Sequence, residues 1–312
     1  MESSAQTQGN PPTARGTNPF SGAHTALVTP FRNNQVAWGD LERLVEHQIA
    51  GKINGLVAVG TTGESPTLDY EEHIEVIRQT VAFAKGRVPV MAGTGSNATA
   101  EAVELVQRAD GVGANAHLQV APYYNKPSQE GLYRHFSKIA EATSKPIILY
   151  SIPGRCGIEI SVETTLRLRR AFPHIIGIKE AGGKVDKAGQ LVRALDPDFL
   201  VLSGDDALTV AFAEMGARGI ISVASNLIPG PVATLARLSA EGRWPEAREL
   251  HIRLAEFFKI IFIEPNPVPI KHLLARQGIL GSAEVRLPLC EMSESNRLAV
   301  EALADALLPT LS

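Results

Sequence analysis

The sequence predicts an α/β fold, a (β/α)8 TIM barrel with a C-terminal three-helix appendage. Three observations carry this. Eight short runs rich in Val and Ile recur from residue 24 onward, their starts about twenty to thirty-three residues apart. Segments with apolar residues at helical spacing lie between them. The first strand-to-helix turn carries no dinucleotide fingerprint, which favours a closed barrel over the main alternative, an open doubly wound sheet.

The strand runs are 24–29, 55–59, 88–92, 117–121, 146–150, 175–179, 199–203 and 219–223. Their apolar residues run on rather than alternate, as parallel strands buried on both faces require. Asp40 is placed to cap a first helix carrying Leu41, Leu44, Val45 and Ile49. Asp69, with Glu72 three residues on, is a capping-box signature for a second helix with Ile74, Ile77, Val81 and Ala84. Spans 99–109, 128–142, 161–171, 185–195, 207–215 and 232–240 continue the alternation. After residues 241–243 the strands stop. Spans 244–263, 268–277 and 293–308 read as helices, and the EPNPVP link at 264–269 cannot continue one. The expected organisation is a flexible polar arm at 1–20, a barrel at 21–241 and a helical appendage at 242–312.

Of the 312 residues, 44% are hydrophobic and 20% charged, the balance of a soluble folded chain. A net charge of −3 offers no electrostatic footprint for nucleic acid or an anionic membrane. No apolar run approaches the ~18 residues of a membrane helix, and the first twenty residues lack the apolar stretch of a secretory signal. Two cysteines, Cys156 and Cys290, make no disulfide framework, so a cytoplasmic location is expected. The eight histidines are scattered, with no metal-binding spacing, and no metal is expected. Residues 93–98 formally match G-x-G-x-x-A but follow the third strand, and there is neither a P-loop nor a G-x-S-x-G elbow.

Functional groups of such a barrel gather at the C-terminal ends of its strands. Lys179 closes the apolar run IIGI at 175–178. An ammonium at an apolar rim is disfavoured, and the neutral amine can attack a ketone and form a Schiff base. The plainer alternative is a lysine whose stem lies on apolar surface while its head reaches water. Tyr150 ends the neighbouring strand, within reach of the same carbonyl as a proton shuttle; its plainer role is a core tyrosine with a bonded hydroxyl. Thr61 and Thr62 sit between glycines and offer hydroxyls and backbone N–H groups to a carboxylate, although GTTGE is equally a turn closing onto a helix. Arg155 follows Pro153-Gly154 and suits bidentate capture of a second carboxylate, or is a surface arginine. Tyr123 and Tyr124 diverge and serve packing or an interface.

Taken in chain order, GTTGE (60–64), PYYNKP (122–127), LYSIPGR (149–155), IKEA (178–181), SGDD (203–206) and EPNPVP (264–269) resemble the dihydrodipicolinate synthases. These are also called 4-hydroxy-tetrahydrodipicolinate synthases, lyases of the N-acetylneuraminate lyase superfamily. The resemblance covers about residues 22–310. It implies a class I aldolase-like barrel that condenses pyruvate with L-aspartate 4-semialdehyde in the diaminopimelate route to lysine, without metal or organic cofactor. Lys179 would carry the Schiff base. Tyr150, Thr61 and Tyr124 would form a proton relay, Tyr124 coming from a neighbouring subunit. Thr62 and the backbone at Ile221 would hold the pyruvate carboxylate, Arg155 the carboxylate of the second substrate, and Gly204 would line the pocket. A homotetramer of tight dimers is implied as well.

Some members of that family bind lysine as a feedback inhibitor. The matching positions are Ser65, Pro66, Tyr70, His73, Asn97, Glu101 and Tyr123, with Tyr70 in place of the commoner histidine. Two departures stand beside the active-site motifs: Ser151 where Asn is usual and Cys156 where Thr is usual. Both stand where they could alter the bonds that orient Tyr150 and Arg155, and the sequence does not decide whether they do. Two rival readings remain. One is another pyruvate-dependent Schiff-base lyase, such as N-acetylneuraminate lyase or a 2-keto-3-deoxy sugar acid aldolase or dehydratase. The other is a non-catalytic amino-acid sensor. Arg155 and SGDD favour the synthase, and the intact set Lys179, Tyr150, Thr61 and Arg155 argues against the sensor.

Overall fold

The computed structural model describes residues 18–311. The expected arm falls at residues 1–17, outside the described residues, and at residues 18–20, which belong to the fold. Phe20 is buried and stacks on His24, so the fold begins before residue 21.

The first strand, β1 (Gly22–Ala26), leads into a short hairpin of β2 (Phe31–Arg32) and β3 (Gln35–Val36), which strand periodicity does not reveal. Then α1 (Trp38–Ala50), β4 (Gly55–Ala58), α2 (Tyr70–Ala84), β5 (Val90–Gly93), α3 (Thr99–Gly111), β6 (Ala116–Val120) and α4 (Gln129–Glu141) follow in turn. They lead to β7 (Ile147–Ser151), a one-turn α5 (Pro153–Cys156), α6 (Val162–Ala171), β8 (Ile175–Glu180), α7 (Val185–Ala194) and β9 (Leu200–Ser203). The barrel ends with α8 (Thr209–Glu214), β10 (Gly219–Ser222) and α9 (Pro229–Ala240). The eight strands β1 and β4 to β10 close a barrel in sequence order, every neighbouring pair parallel.

Burial on both faces explains the continuous apolar runs. Ala26, Val57, Met91, Leu118, Ile148, Leu202 and Ile221 fill the barrel's interior, while alternate residues face the helices. The C-terminal helices α10 (Trp244–Ile260), α11 (Val268–Arg276) and α12 (Glu294–Leu307) share one apolar cluster with the barrel. Phe257, Phe258, Leu273 and Val300 join Leu41, Ile74 and Val232 in it. Burial therefore ties these helices to the barrel's flank.

The capping box of Asp69 and Glu72 is present. Asp40, in contrast, does not cap α1, which starts two residues earlier. Its buried carboxylate accepts the Gly281 N–H at 2.7 Å and pairs with Arg43 and Arg32. A partner from the far end of the chain has claimed the group that local spacing assigned to a cap.

Candidate active site

Three lysines are buried among the described residues: Lys179 (5% exposed), Lys187 (7%) and Lys271 (0%). A buried ammonium needs a counter-charge. Lys187 has two, Glu180 at 2.8 Å and Glu159 at 3.2 Å, together with the Ser151 hydroxyl at 3.3 Å. Lys271 lies 2.7 Å from Glu64 and donates to the Thr29 carbonyl at 2.9 Å; burial pushes its pKa down against the pull of Glu64. Lys179 has no carboxylate within ion-pair distance among the described residues. Its Nζ lies 4.2 Å from the centre of the Tyr150 ring. Of the three buried amines, this one is not committed to a structural ion pair.

Strand register produces that contact. Tyr150 pairs with Lys179 across β7 and β8, so both side chains leave the barrel wall at one level near its C-terminal end. Their successors Ser151 and Glu180 also pair and, by alternation, face the helices, where Lys187 clamps them. The Ser151 side chain therefore points away from Tyr150. Its hydroxyl serves Lys187 and accepts the Ile160 N–H, on the opposite face of the strand. Cys156 is buried, and burial raises its thiol to about 11, which suits an inert packing residue. Arg155 lies in the one-turn α5 and stays exposed at the same end of the barrel.

Thr61 and Thr62 form a 3-10 turn after β4. Glu64 ends that turn in left-handed backbone, φ 54°, and is held from two sides. Its Oε1 meets Lys271, and its Oε2 accepts the Arg286 N–H at 3.0 Å. The Thr29 hydroxyl donates to the Gly63 carbonyl at 2.7 Å, and Asn266 Nδ2 donates to Thr62 Oγ1 at 2.9 Å. Thr62, Glu64, Asn266 and Lys271 are all buried. Asn266 and Lys271, from the segment before α11 and from α11 itself, were not singled out as site residues in the sequence. The one available signal was the proline-flanked Asn of EPNPVP, which local spacing reads only as a helix break.

On the other side of Lys179, Gly204 is required by contact. A Cβ there would lie 2.9 Å from Lys179 Cε and 2.6 Å from the Ala181 Cβ. Asp206, the last residue of SGDD, is buried, and its pKa is raised by burial. It nevertheless accepts the Ser222 hydroxyl and the N–H groups of Val223 and Ala224 at 3.0 and 3.2 Å, which fixes the loop after β10. Ile221 precedes that loop and shares the interior cluster with Tyr150.

Tyr124 is not gathered into this site within one chain. It is 90% exposed, at φ 73° in the loop after β6, against 4% for Tyr150. Of the seven positions matched to a lysine site, Tyr70, Asn97, Glu101 and Tyr123 lie together. Tyr70 bonds Glu101, which raises its pKa after burial as the first cause, and Asn97 donates to the Tyr123 carbonyl at 3.2 Å. Glu101 also accepts the Ser96 hydroxyl at 2.7 Å. Ser65 and Pro66 lie in the short turn before α2. His73 turns inward instead; it is buried and bonded to the Gly93 carbonyl at 2.8 Å, and burial lowers its pKa.

A cleft of about 1370 Å³ opens elsewhere, lined by Gly22, Asn54, Pro89, Arg218 and Trp244. It lies at the N-terminal ends of the strands, where no buried amine or tyrosine faces it, so side-chain chemistry rather than volume locates the site. Among the described residues no group of three His, Cys, Asp or Glu is arranged to hold a metal, and no helix is long and apolar enough to cross a membrane.

A closed parallel (β/α)8 barrel with an unpaired amine stacked on a tyrosine at its C-terminal rim defines an aldolase-like barrel. The particular family follows from comparison: the profile of the dihydrodipicolinate synthetase family matches residues 19–307, and the chain belongs to that family. The 4-hydroxy-tetrahydrodipicolinate synthase of Persephonella marina is 47% identical over 277 residues, 89% of this chain and 94% of that protein. The solved structure of the 4-hydroxy-tetrahydrodipicolinate synthase from Methylacidiphilum fumariolicum SolV is 51% identical, with a TM-score of 0.91 over 94% of this chain and 98% of that one. A structure of the enzyme from Cyanidioschyzon merolae with lysine bound is 36% identical, with a TM-score of 0.91 over 93% and 99%.

Proposed function

We propose that this chain condenses pyruvate with L-aspartate 4-semialdehyde to 4-hydroxy-tetrahydrodipicolinate through a Schiff base on Lys179. The observation that carries the reading is the Lys179 amine, buried without a carboxylate partner and set 4.2 Å from the Tyr150 ring centre in a chain of this family.

The Lys179 amine adds to the ketone carbon of pyruvate, and the carbinolamine loses water to leave an iminium. A methyl proton passes to the relay that begins at the Tyr150 hydroxyl and runs through Thr61, giving an enamine. The enamine carbon attacks the aldehyde carbon, whose oxygen takes up a proton. The amino group of the second substrate then adds to the iminium carbon and expels Lys179, closing the ring. The lysine serves as electron sink throughout. Thr62 and the backbone at Ile221 hold the pyruvate carboxylate, Arg155 holds that of the second substrate, and Gly204 leaves room for the Lys179 stem. The exposure of Tyr124 supports its delivery to a neighbouring subunit's relay within a homotetramer of dimers. The cytoplasm is the compartment in keeping with this chemistry.

Borohydride reduction in the presence of pyruvate, followed by peptide mass spectrometry, tests the reading. The expected result is one adduct, on Lys179, absent from Lys179→Ala. An adduct elsewhere, or none, overturns it. Supplying alternative aldehydes separates the synthase from the sugar-acid lyases. Lysine as feedback ligand at Ser65, Pro66, Tyr70, His73, Asn97, Glu101 and Tyr123 is supported by the lysine-bound relative. Turnover that stays unchanged in millimolar lysine removes that part.

A further inference from the structure

Thr62 has one hydroxyl proton and two lone pairs to place. Its Oγ1 accepts from Asn266 Nδ2 at 2.9 Å, and among the described residues its hydroxyl donates to no acceptor. Asn266 Oδ1 is buried and has no hydrogen-bond partner among the described residues. The amide therefore presents its donor side to Thr62 and withholds its acceptor side. Had it presented the oxygen, the Thr62 proton would be consumed inside the protein.

The turn that carries Thr62 is fixed beneath this contact. The Glu64–Lys271 pair and the Thr29–Gly63 bond hold it. Pro265 and Pro267 restrict the backbone on either side of Asn266. The C-terminal segment thus grips the turn at two points, once through the Lys271 ammonium and once through the Asn266 amide.

We propose that Asn266 is a positioning residue: by donating to Thr62 Oγ1 it turns the Thr62 hydroxyl into a donor aimed at the substrate carboxylate. This rests on the reading of Thr62 as a carboxylate ligand. A carboxylate only accepts, so a threonine whose proton is free binds it, and one whose proton is already engaged meets it lone pair to lone pair.

Asn266→Asp separates the two states. The ionised aspartate accepts the Thr62 proton, whereas the protonated aspartate donates as the amide does. The pyruvate concentration that half-saturates Lys179 trapping is expected to rise about tenfold or more at pH 8 and to recover as pH falls through the new carboxyl's titration. Trapping at saturating pyruvate should change far less. In a Thr62→Val background the same substitution should change half-saturation by less than about twofold, because the hydroxyl it acts through is gone. An equal penalty in both backgrounds, as direct charge repulsion would give, overturns the proposal, as does a half-saturation that Asn266→Asp leaves unchanged. If the new carboxylate prevents folding, Asn266→Ala in the same two backgrounds carries the test, with a rise of about threefold expected only where Thr62 is present. Absence of any Lys179 adduct in the unsubstituted chain overturns the pyruvate reading itself; a normal adduct with an indifferent Asn266 overturns this inference alone.

Discussion

Lys179 and Lys271 are both buried amines near the C-terminal end of one barrel, yet their surroundings divide their labour. Lys271 is fully enclosed with Glu64 at 2.7 Å, the Thr29 carbonyl at 2.9 Å and the Phe31 ring at 4.3 Å. Its charge is answered, and it works as a strut beneath the threonine turn. Lys179 has the Tyr150 ring and, among the described residues, no carboxylate within ion-pair distance. Burial alone does not make an amine available; what differs is whether a carboxylate already engages it. Lys187, with Glu180 and Glu159, falls on the side of Lys271.

The comparison breaks most directly on stability. Removing one member of a buried pair strands the other charge, so Lys271→Met is expected to lower unfolding free energy by about 3–5 kcal/mol. Pairing it with Glu64→Gln should return much of that loss. Lys179→Met strands nothing and should cost less than about 1 kcal/mol while abolishing the adduct. Denaturant titrations of the three variants measure this, and equal losses for Lys179→Met and Lys271→Met would refute the contrast.

The other end of the barrel sharpens it. His24 is buried with no carboxylate partner among the described residues, and burial pushes its pKa from 6.5 to about 4, against the weaker pull of the Gly22 and Pro19 backbone. Between those values the unfolded chain binds a proton that the folded chain refuses. Stability therefore falls as pH drops from about 6.5 toward 4, by about 3 kcal/mol from this group. His24→Gln should make the acid side of the stability–pH curve shallower, and an unaltered slope would show that His24 is not its source.

The smallest expected effect concerns space. Gly204→Ala places a methyl 2.6 Å from the Ala181 Cβ and 2.9 Å from Lys179 Cε, so the backbone beside Ala181 must give as well as the lysine stem. Trapping by pyruvate should slow about tenfold, with the thermal midpoint lowered by a few degrees, about 1 kcal/mol of overpacking. Unslowed trapping would mean that the stem has room the geometry does not provide.

Much of this was legible in the chain. Lys179 and Tyr150 close adjacent apolar runs, and parallel pairing at equal depth brings such neighbours together. Asp69 with Glu72 was legible because its partners lie within one turn. Asp40 was misread for the converse reason: its partner, Gly281, is supplied by a distant segment. The role of Ser151 was undecided in the chain until alternation put it on the other face of β7.

The sequence by itself determined the barrel, the strand-end position of Lys179 and the family, because apolar periodicity and short motifs are local properties of the chain. Only the tertiary structure decided which buried lysine goes without a counter-charge and which group grips Thr62. Those depend on residues some two hundred positions apart, Glu64 with Lys271 and Thr62 with Asn266, meeting as α11 packs against the barrel. Pairing energy acts through space, and no local pattern records the distance across which it is satisfied.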